Sequence, residues 1–277
     1  MTVQDFRGSD AMFQRARGLL SISAVGSAGN PSRLENLRQQ GSYRAVFPRS
    51  TQRRVDAVII NTAGGITGGD KFSTTIFANP HARISATTQA AERIYRAVGG
   101  TVGSMHTRLR VKSKAQLYWL PQETILFDGS HLNRRLDVEV AQDAKFLMVE
   151  PLVFGRAASG EILKSCILDD RVRISSLGTP IYLDRIKLNG DIAATLRRSA
   201  LANGARAMAS IVLVDPMAAE LLEPVRNLLP STAGASLFGL NILVIRLLSS
   251  DSFELRKVVF PILKLFTQNR VPKNWRL

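Results

Sequence analysis

Only one cysteine, Cys166, occurs in 277 residues, so no disulfide can close within the chain, and a reducing, cytoplasmic setting is expected. Histidine is nearly as scarce. His81, His106 and His131 lie far apart, none at a ligand-pair spacing to another, and each reads as a surface or capping residue near a turn or strand end. No Cys/His cluster has structural-zinc spacing, and no G-x-S-x-G elbow gives serine hydrolysis a foothold. Aromatic residues make up 6% of the chain, too few for the stacking platforms of a typical nucleic-acid binder, and no RNP or helix-turn-helix signature appears. Long apolar runs are missing as well. The best, Ile242-Leu243-Val244-Ile245, stops at Arg246, far short of the ~20 residues a membrane helix needs. At the N-terminus, Asp5, Asp10 and the serines around Leu19-Leu20 spoil a signal or transit peptide, and a soluble protein is expected.

Positive charge is what the chain has in excess. Lysine and arginine total 37 against 22 acids, a net charge of +15, which favours an acidic protein partner, nucleic acid or an anionic surface. The sign alone does not choose among them, because the cations are spread along the chain in pairs such as Arg53-Arg54, Arg134-Arg135 and Arg197-Arg198. Cys166 sits among Lys164, Ile167 and Leu168 and reads as a small buried hydrophobe.

Periodicity makes the chain mainly β, a large antiparallel sheet assembly with two or three helices near the C-terminus. Leu109 and Val111 alternate with Arg108, Arg110 and Lys112, and a turn at Lys112-Ser113-Lys114-Ala115 leads into Gln116-Leu117-Tyr118-Trp119. Leu136, Val138 and Val140 alternate with Asp137 and Glu139, and Gln142-Asp143 turns the chain into Lys145–Val149. Both stretches read as hairpins. Ala82 to Thr88 alternates too. Later the period changes. Asp215-Pro216 reads as an N-cap for one helix running to Pro230, a strand follows over Asn241 to Leu248, and Asp251 caps a second helix that Pro261 should kink or end early. Asp191 to Ser199 reads as a further short helix. No repeat or composition shift marks a boundary, so residues 1–277 are expected to form a single domain, strand-rich to about 190 and α/β-mixed after it, with 1–14 a flexible N-terminal segment.

The stretch NTAGGITGGD, Asn61 to Asp70, raises the question of a phosphate cradle. Such a loop needs a helix after it and usually a Gly-Lys-Ser/Thr ending. Here Lys71-Phe72-Ser73-Thr74-Thr75-Ile76-Phe77 follows, which has the composition of a strand. The simpler reading gives Gly64, Gly65, Gly68 and Gly69 a structural role, supplying positive-φ turns and close backbone approach. Carboxylates are the remaining candidates for chemistry: Asp70 in this loop, Glu92, Glu123, Asp128, Glu150 before Pro151, and Glu161.

These segments carry a resemblance. NTAGGITGGD, TTQAAERIYRA at Thr87 to Ala97, LYWLPQETILFDGSHLNRRLDVEVA at Leu117 to Ala141, EPLVFGRAASGE at Glu150 to Glu161 and VPKNWRL at the C-terminus, in this order, resemble the UreD (UreH) urease accessory family over about residues 16 to 277. Ala90-Ala91 departs from the family block, which often carries a cysteine there. The resemblance implies a mostly β fold and a non-enzymatic part in maturing the nickel enzyme urease. It implies a scaffold that docks the urease apoprotein and binds UreF, which recruits the GTPase UreG. It implies no tightly bound cofactor, transient nickel(II) at most, and neither nucleic acid nor membrane as partner. An internal conduit would be lined by Asp70, Glu92, Asp128, Glu150 and Glu161, with Asp70, Glu92 and Glu150 as metal contacts, because nickel(II) accepts carboxylate and water and a protein that hands it on must hold it weakly. Such acids should be water-accessible or paired with arginines such as Arg93 and Arg156. The alternative from the residues alone is a basic β-rich nucleic-acid-binding protein without catalysis; a small-ligand-binding β domain would need more exposed aromatics than the chain supplies.

Overall fold

The computed structural model describes residues 14–49, 53–156 and 159–276; the expected flexible segment over 1–14 lies almost wholly outside them. Two β-sheets lie face to face, with helices behind the second. The first has seven strands, β1 (Arg17–Val25), β2 (Arg33–Gly41), β5 (Lys71–Ala78), β8 (Gly103–Val111), β11 (His131–Val140), β13 (Cys166–Ser176) and β14 (Thr179–Gly190), in the order β14-β13-β11-β8-β5-β1-β2. The second has ten: β3 (Tyr43–Val46), β4 (Val55–Asn61), β6 (Arg83–Thr88), β7 (Glu92–Ile94), β9 (Gln116–Trp119), β10 (Thr124–Leu126), β12 (Lys145–Phe154), β15 (Ala207–Val214), β16 (Ala233–Phe238) and β17 (Ile242–Ser249). The main path is β16-β17-β15-β12-β9-β6-β4-β3, with β10 beside β12 and β7 beside β10.

The chain is mainly β, as its periodicity indicates, but the sheets are mixed and their centres are parallel, which corrects the antiparallel expectation. Strands β1, β5, β8, β11 and β13 run parallel to one another, as do β4, β6, β9 and β12. From β5 to β13 the chain crosses repeatedly from one sheet to the other and back, so it winds as a solenoid: β5, β6 and β7 form one coil, β8, β9 and β10 the next, and β11 with the long β12 a third. Both stretches read as hairpins are therefore arches. Alternation specifies which face of a strand is buried, and an arch buries the same residues as a hairpin because both strands turn their apolar sides into the shared core. True hairpins form where the turn chemistry is right: Leu177 and Gly178, both at positive φ, join β13 to β14, as a two-residue loop requires. The arches stack instead. Asp143 takes the Ser113 hydroxyl at 2.7 Å, and the His81 N–H reaches the Ser113 carbonyl at 3.2 Å.

Between the sheets lies the larger core, with Ile22, Ile76, Leu109, Leu136, Leu117 and Phe146 in it. Leu147, Val149, Ile211 and Leu243 point the other way, into a second core under α3 (Ser252–Phe266). Strand β15 is accordingly buried at every position, the pattern of a strand covered on both faces. The Asp251 carboxylate accepts the Glu254 N–H at 2.9 Å to cap α3, which continues to Phe266 past Pro261 rather than ending early. Asp191 caps α1 (Ile192–Arg197) in the same way. The helix expected from Asp215 to Pro230 is broken: Asp215 takes the Met217 N–H, a 3-10 turn covers Ala218–Leu221, and α2 spans only Leu222–Arg226. Pro224 lies inside that span and lacks the N–H that a longer helix would use. Among the described residues no helix is long and apolar enough to cross a membrane.

Candidate functional site

The glycine loop joins β4 to β5, and a strand follows it, so the structure offers no helix N-terminus for phosphate there. Gly64, Gly65 and Gly69 take positive φ. A Cβ on Gly65 would lie 2.6 Å from the Arg93 carbonyl oxygen, and one on Gly68 2.6 Å from that of Thr101. Ile66 is thereby driven into the core, bridging to Ile94. Asp70 closes the turn. Its two carboxylate oxygens accept the Ala16 and Thr67 N–H groups, both at 2.8 Å, so this acid fastens the loop to the strand entering at β1.

Two of the other candidate acids meet inside the solenoid. A cavity of about 150 Å³ lies between the sheets, lined by Tyr43, Asn61, Glu92, Trp119, Arg134 and Glu150 among others, and it reaches the surface beside Gly64 and Gln89–Ala91. The Ala90-Ala91 pair that departs from the resembled motif stands at this mouth. Its floor is ionic. Arg134 on β11 meets Glu150 on β12 at 2.7 Å, Asp170 on β13 through its Nε at 2.9 Å, and the Thr124 hydroxyl at 3.0 Å. The Trp119 indole N–H donates to the other Glu150 oxygen at 2.7 Å. Every charged group here is buried. Burial pushes the Glu150 carboxyl above its ordinary value, the Arg134 guanidinium opposing and the Asp170 charge adding. For Arg134 burial works against the charge, but the carboxylates of Asp170 and Glu150 outweigh it and hold the guanidinium protonated. Removing one member of such a set costs about 3–5 kcal/mol, since the others are left as uncompensated buried charge. Asp170 was not named from the sequence, and Arg134 only as one of a pair of spread cations; buried cross-strand partners on neighbouring coils leave no mark in local spacing.

Glu92 is different. One of its oxygens accepts the Asn61 amide at 3.0 Å, the Arg93 backbone N–H also donates to the carboxyl, and among the described residues no lysine or arginine forms an ion pair with it. It is half-buried, and burial pushes its carboxyl up to about 7, against the opposing Asn61 hydrogen bond and the Arg93 N–H and charge. Tyr43 faces it; burial first and the Glu92 charge second keep that phenol un-ionised. The Gln122 side-chain nitrogen in the same wall has no partner among the described residues.

Asp128 and Glu161 lie apart from this cavity. The Asp128 carboxylate accepts the Lys164 and Ser165 N–H groups and an Arg96 guanidinium N–H at 2.7 Å, while Glu161 accepts from the Asp128 N–H and is clasped by Arg156 at 3.0 Å. Both carboxyls sit below their ordinary values; burial works against that, and hydrogen bonds from Ser165 and Lys164 to Asp128 and from Arg156 to Glu161 outweigh it. These two acids tie a surface loop together. Glu123 pairs with Arg256 at 3.5 Å. Of the histidines, His106 departs from expectation: it stands within β8, bonded to Asp137 at 2.7 Å. Cys166 is buried against the Ser130 hydroxyl at 3.1 Å, its thiol pushed up by burial. Among the described residues no group of three or more His, Cys, Asp or Glu side chains is placed to hold a metal ion.

The fold and the cavity together define a class: a two-sheet β-solenoid closed on one side by helices, enclosing a small charged chamber. The chain belongs to the UreD urease accessory protein family, whose model matches residues 16–276. It is 47% identical over 249 residues to urease accessory protein UreD of Ruegeria pomeroyi, covering 90% of this chain and 97% of that protein. It is 43% identical over 263 residues to the protein of that name from Roseobacter denitrificans, covering 95% and 96%. The Rhizobium rhizogenes relative is 40% identical over 265 residues, covering 95% and 96%.

Proposed function

We propose that this chain is a non-catalytic scaffold in urease maturation, holding the urease apoprotein against UreF and, through UreF, UreG in the cytoplasm, and that nickel(II) in transit passes through the cavity between the sheets. The observation that carries the second half is Glu92: it lines the chamber with no arginine or lysine in ion-pair contact among the described residues, held by the Asn61 amide and the Arg93 N–H, while both Asp70 oxygens are taken by backbone and Glu150, Asp128 and Glu161 are paired with arginine. A carboxyl poised near neutrality can give up its proton to a cation and take it back, and borderline nickel(II) accepts a single carboxylate, an amide oxygen and water. Such a set holds the ion weakly, as a relay should. The earlier expectation of five acids along the route thereby narrows to one contact, with Glu150 and Arg134 as the wall behind it.

The test is Glu92→Gln, an isosteric change that keeps a hydrogen-bonding side chain beside Asn61. Co-expressed with urease and its other accessory proteins, this variant should stay soluble and be recovered in the same complexes, while the urease emerges with severalfold less nickel per active site. Normal nickel loading with intact assembly would remove the conduit and leave the scaffold; loss of assembly with a folded chain would place Glu92 at a docking surface.

A further inference from the structure

The parallel coils put arginines from separate parts of the sequence side by side. On the face of the seven-stranded sheet that points away from the core, His106, Arg135, Arg171 and Arg185 stand in one cross-strand row, at the ~4.8 Å strand spacing. The next row carries Arg108 and Arg173 with Asp137 between them. Like charges directly opposite one another in a sheet are unfavourable, and the acids nearby are already committed. Asp169 serves both Arg171 and Arg185, at 2.7 and 2.9 Å, and Asp137 serves His106. Arg108 and Arg135 have no acid partner among the described residues. Of the described helices, α2 and α3 pack against the other sheet and α1 buries Ile192 in the core between the sheets, so none is seen to cover this face.

Exposed leucine lies among these cations. Leu183 is paired in register with Arg173 and is 65% exposed, and Leu177 at the adjoining hairpin tip is 77% exposed. Arg135, Arg171, Arg173 and Arg185 line a shallow recess of about 490 Å³ that also holds Leu183, Asp137 and Asp184, the last already paired with Arg246.

We propose that this face docks an acidic protein surface, carboxylates against the arginine rows and an apolar side chain against Leu183. Arginine beside exposed apolar anchors is the composition of protein interfaces, and the guanidinium fork matches a carboxylate in two bonds. A nucleic-acid strand would need bases stacked on aromatic rings; the aromatic on this face is Phe77, half-buried and already overlain by Arg110 at 5.5 Å. The face lies outside the solenoid, on the far side of the sheet from the chamber, and the proposal does not depend on metal transit.

The test measures binding of two labelled probes to the full chain by fluorescence anisotropy in low salt: a synthetic peptide of repeating Asp-Glu-Leu and a single-stranded oligothymidylate. Arg135→Gln with Arg173→Gln should weaken the peptide about tenfold, and Leu183→Asn alone should weaken it several-fold. The control pair Lys264→Gln with Lys273→Gln, exposed cations near the C-terminus, should change it less than twofold. All variants alter exposed side chains and should melt as the parent does; should the arginine pair misfold, Leu183→Asn and Arg108→Gln carry the test. No peptide binding by the parent, equal weakening by the control pair, no response to Leu183→Asn, or a response confined to the oligothymidylate would each overturn the proposal.

Discussion

At the scale of single residues, the chamber sets two carboxyls against each other by environment. Glu150 is fixed by an indole and a guanidinium, whereas Glu92 has the Asn61 amide and the Arg93 backbone N–H and no charged partner in ion-pair contact among the described residues. Glu92 rises from an ordinary 4.5 to about 7 on folding, so the folded state binds its proton more tightly than the unfolded chain does. The stability from that proton is fully present below about pH 4.5 and is lost as pH rises through about 7. Glu92→Gln has no proton to lose. Across pH 5 to 8, thermal or urea unfolding should show the variant gaining on the parent by up to about 3 kcal/mol, less whatever water in the chamber screens. A constant difference over that range would mean that Glu92 is not desolvated in solution. The acids themselves were legible in the sequence. Their division into loop fasteners, chamber wall and a half-buried carboxyl without an arginine pair was not, since it depends on which coil stacks on which.

At the scale of the element, the glycine loop shows why the glycines of one turn are not equivalent. Gly64 needs only its positive φ and has open space where a Cβ would go, while Gly65 and Gly68 lie against the backbone of Arg93 and Thr101. Gly64→Ala should therefore cost roughly 1 kcal/mol, the penalty of a left-handed alanine. Gly65→Ala and Gly68→Ala should each cost about 2–3 kcal/mol, because backbone must move. Urea denaturation of the three variants checks the ranking, and equal losses would refute the steric account. The strands, their faces and the cap of α3 were readable from periodicity and from Asp251. Pairing direction was not. Leu136, Val138 and Val140 alternate identically whether β12 returns beside β11 or crosses to the other sheet, and only the positive-φ demand at Leu177-Gly178 distinguishes a true hairpin.

At the scale of the whole molecule, residues distant in the chain close the helical side of the fold. The buried Trp275 donates its indole N–H to the Leu120 carbonyl at 2.9 Å, under Arg256 stacked 4.8 Å away, and Asn274 reaches the Thr88 carbonyl at 3.1 Å. Trp275→Ala should cost about 3–5 kcal/mol, read from the shift in the denaturation midpoint, and a loss under 1 kcal/mol would show that the closure contributes little. The coils and the closure also differ in how far apart their partners lie along the chain. Ser73, His106, Arg135 and Arg171 pair rung to rung, each about one coil from the last, whereas Trp275 and Leu120 are 155 positions apart and Asn274 and Thr88 are 186 apart. Loops of one coil close readily and larger ones pay more entropy. The rungs should therefore form in succession and the tryptophan latch shut last, so Trp275→Ala should raise the unfolding rate in stopped-flow denaturation while leaving the refolding rate nearly unchanged.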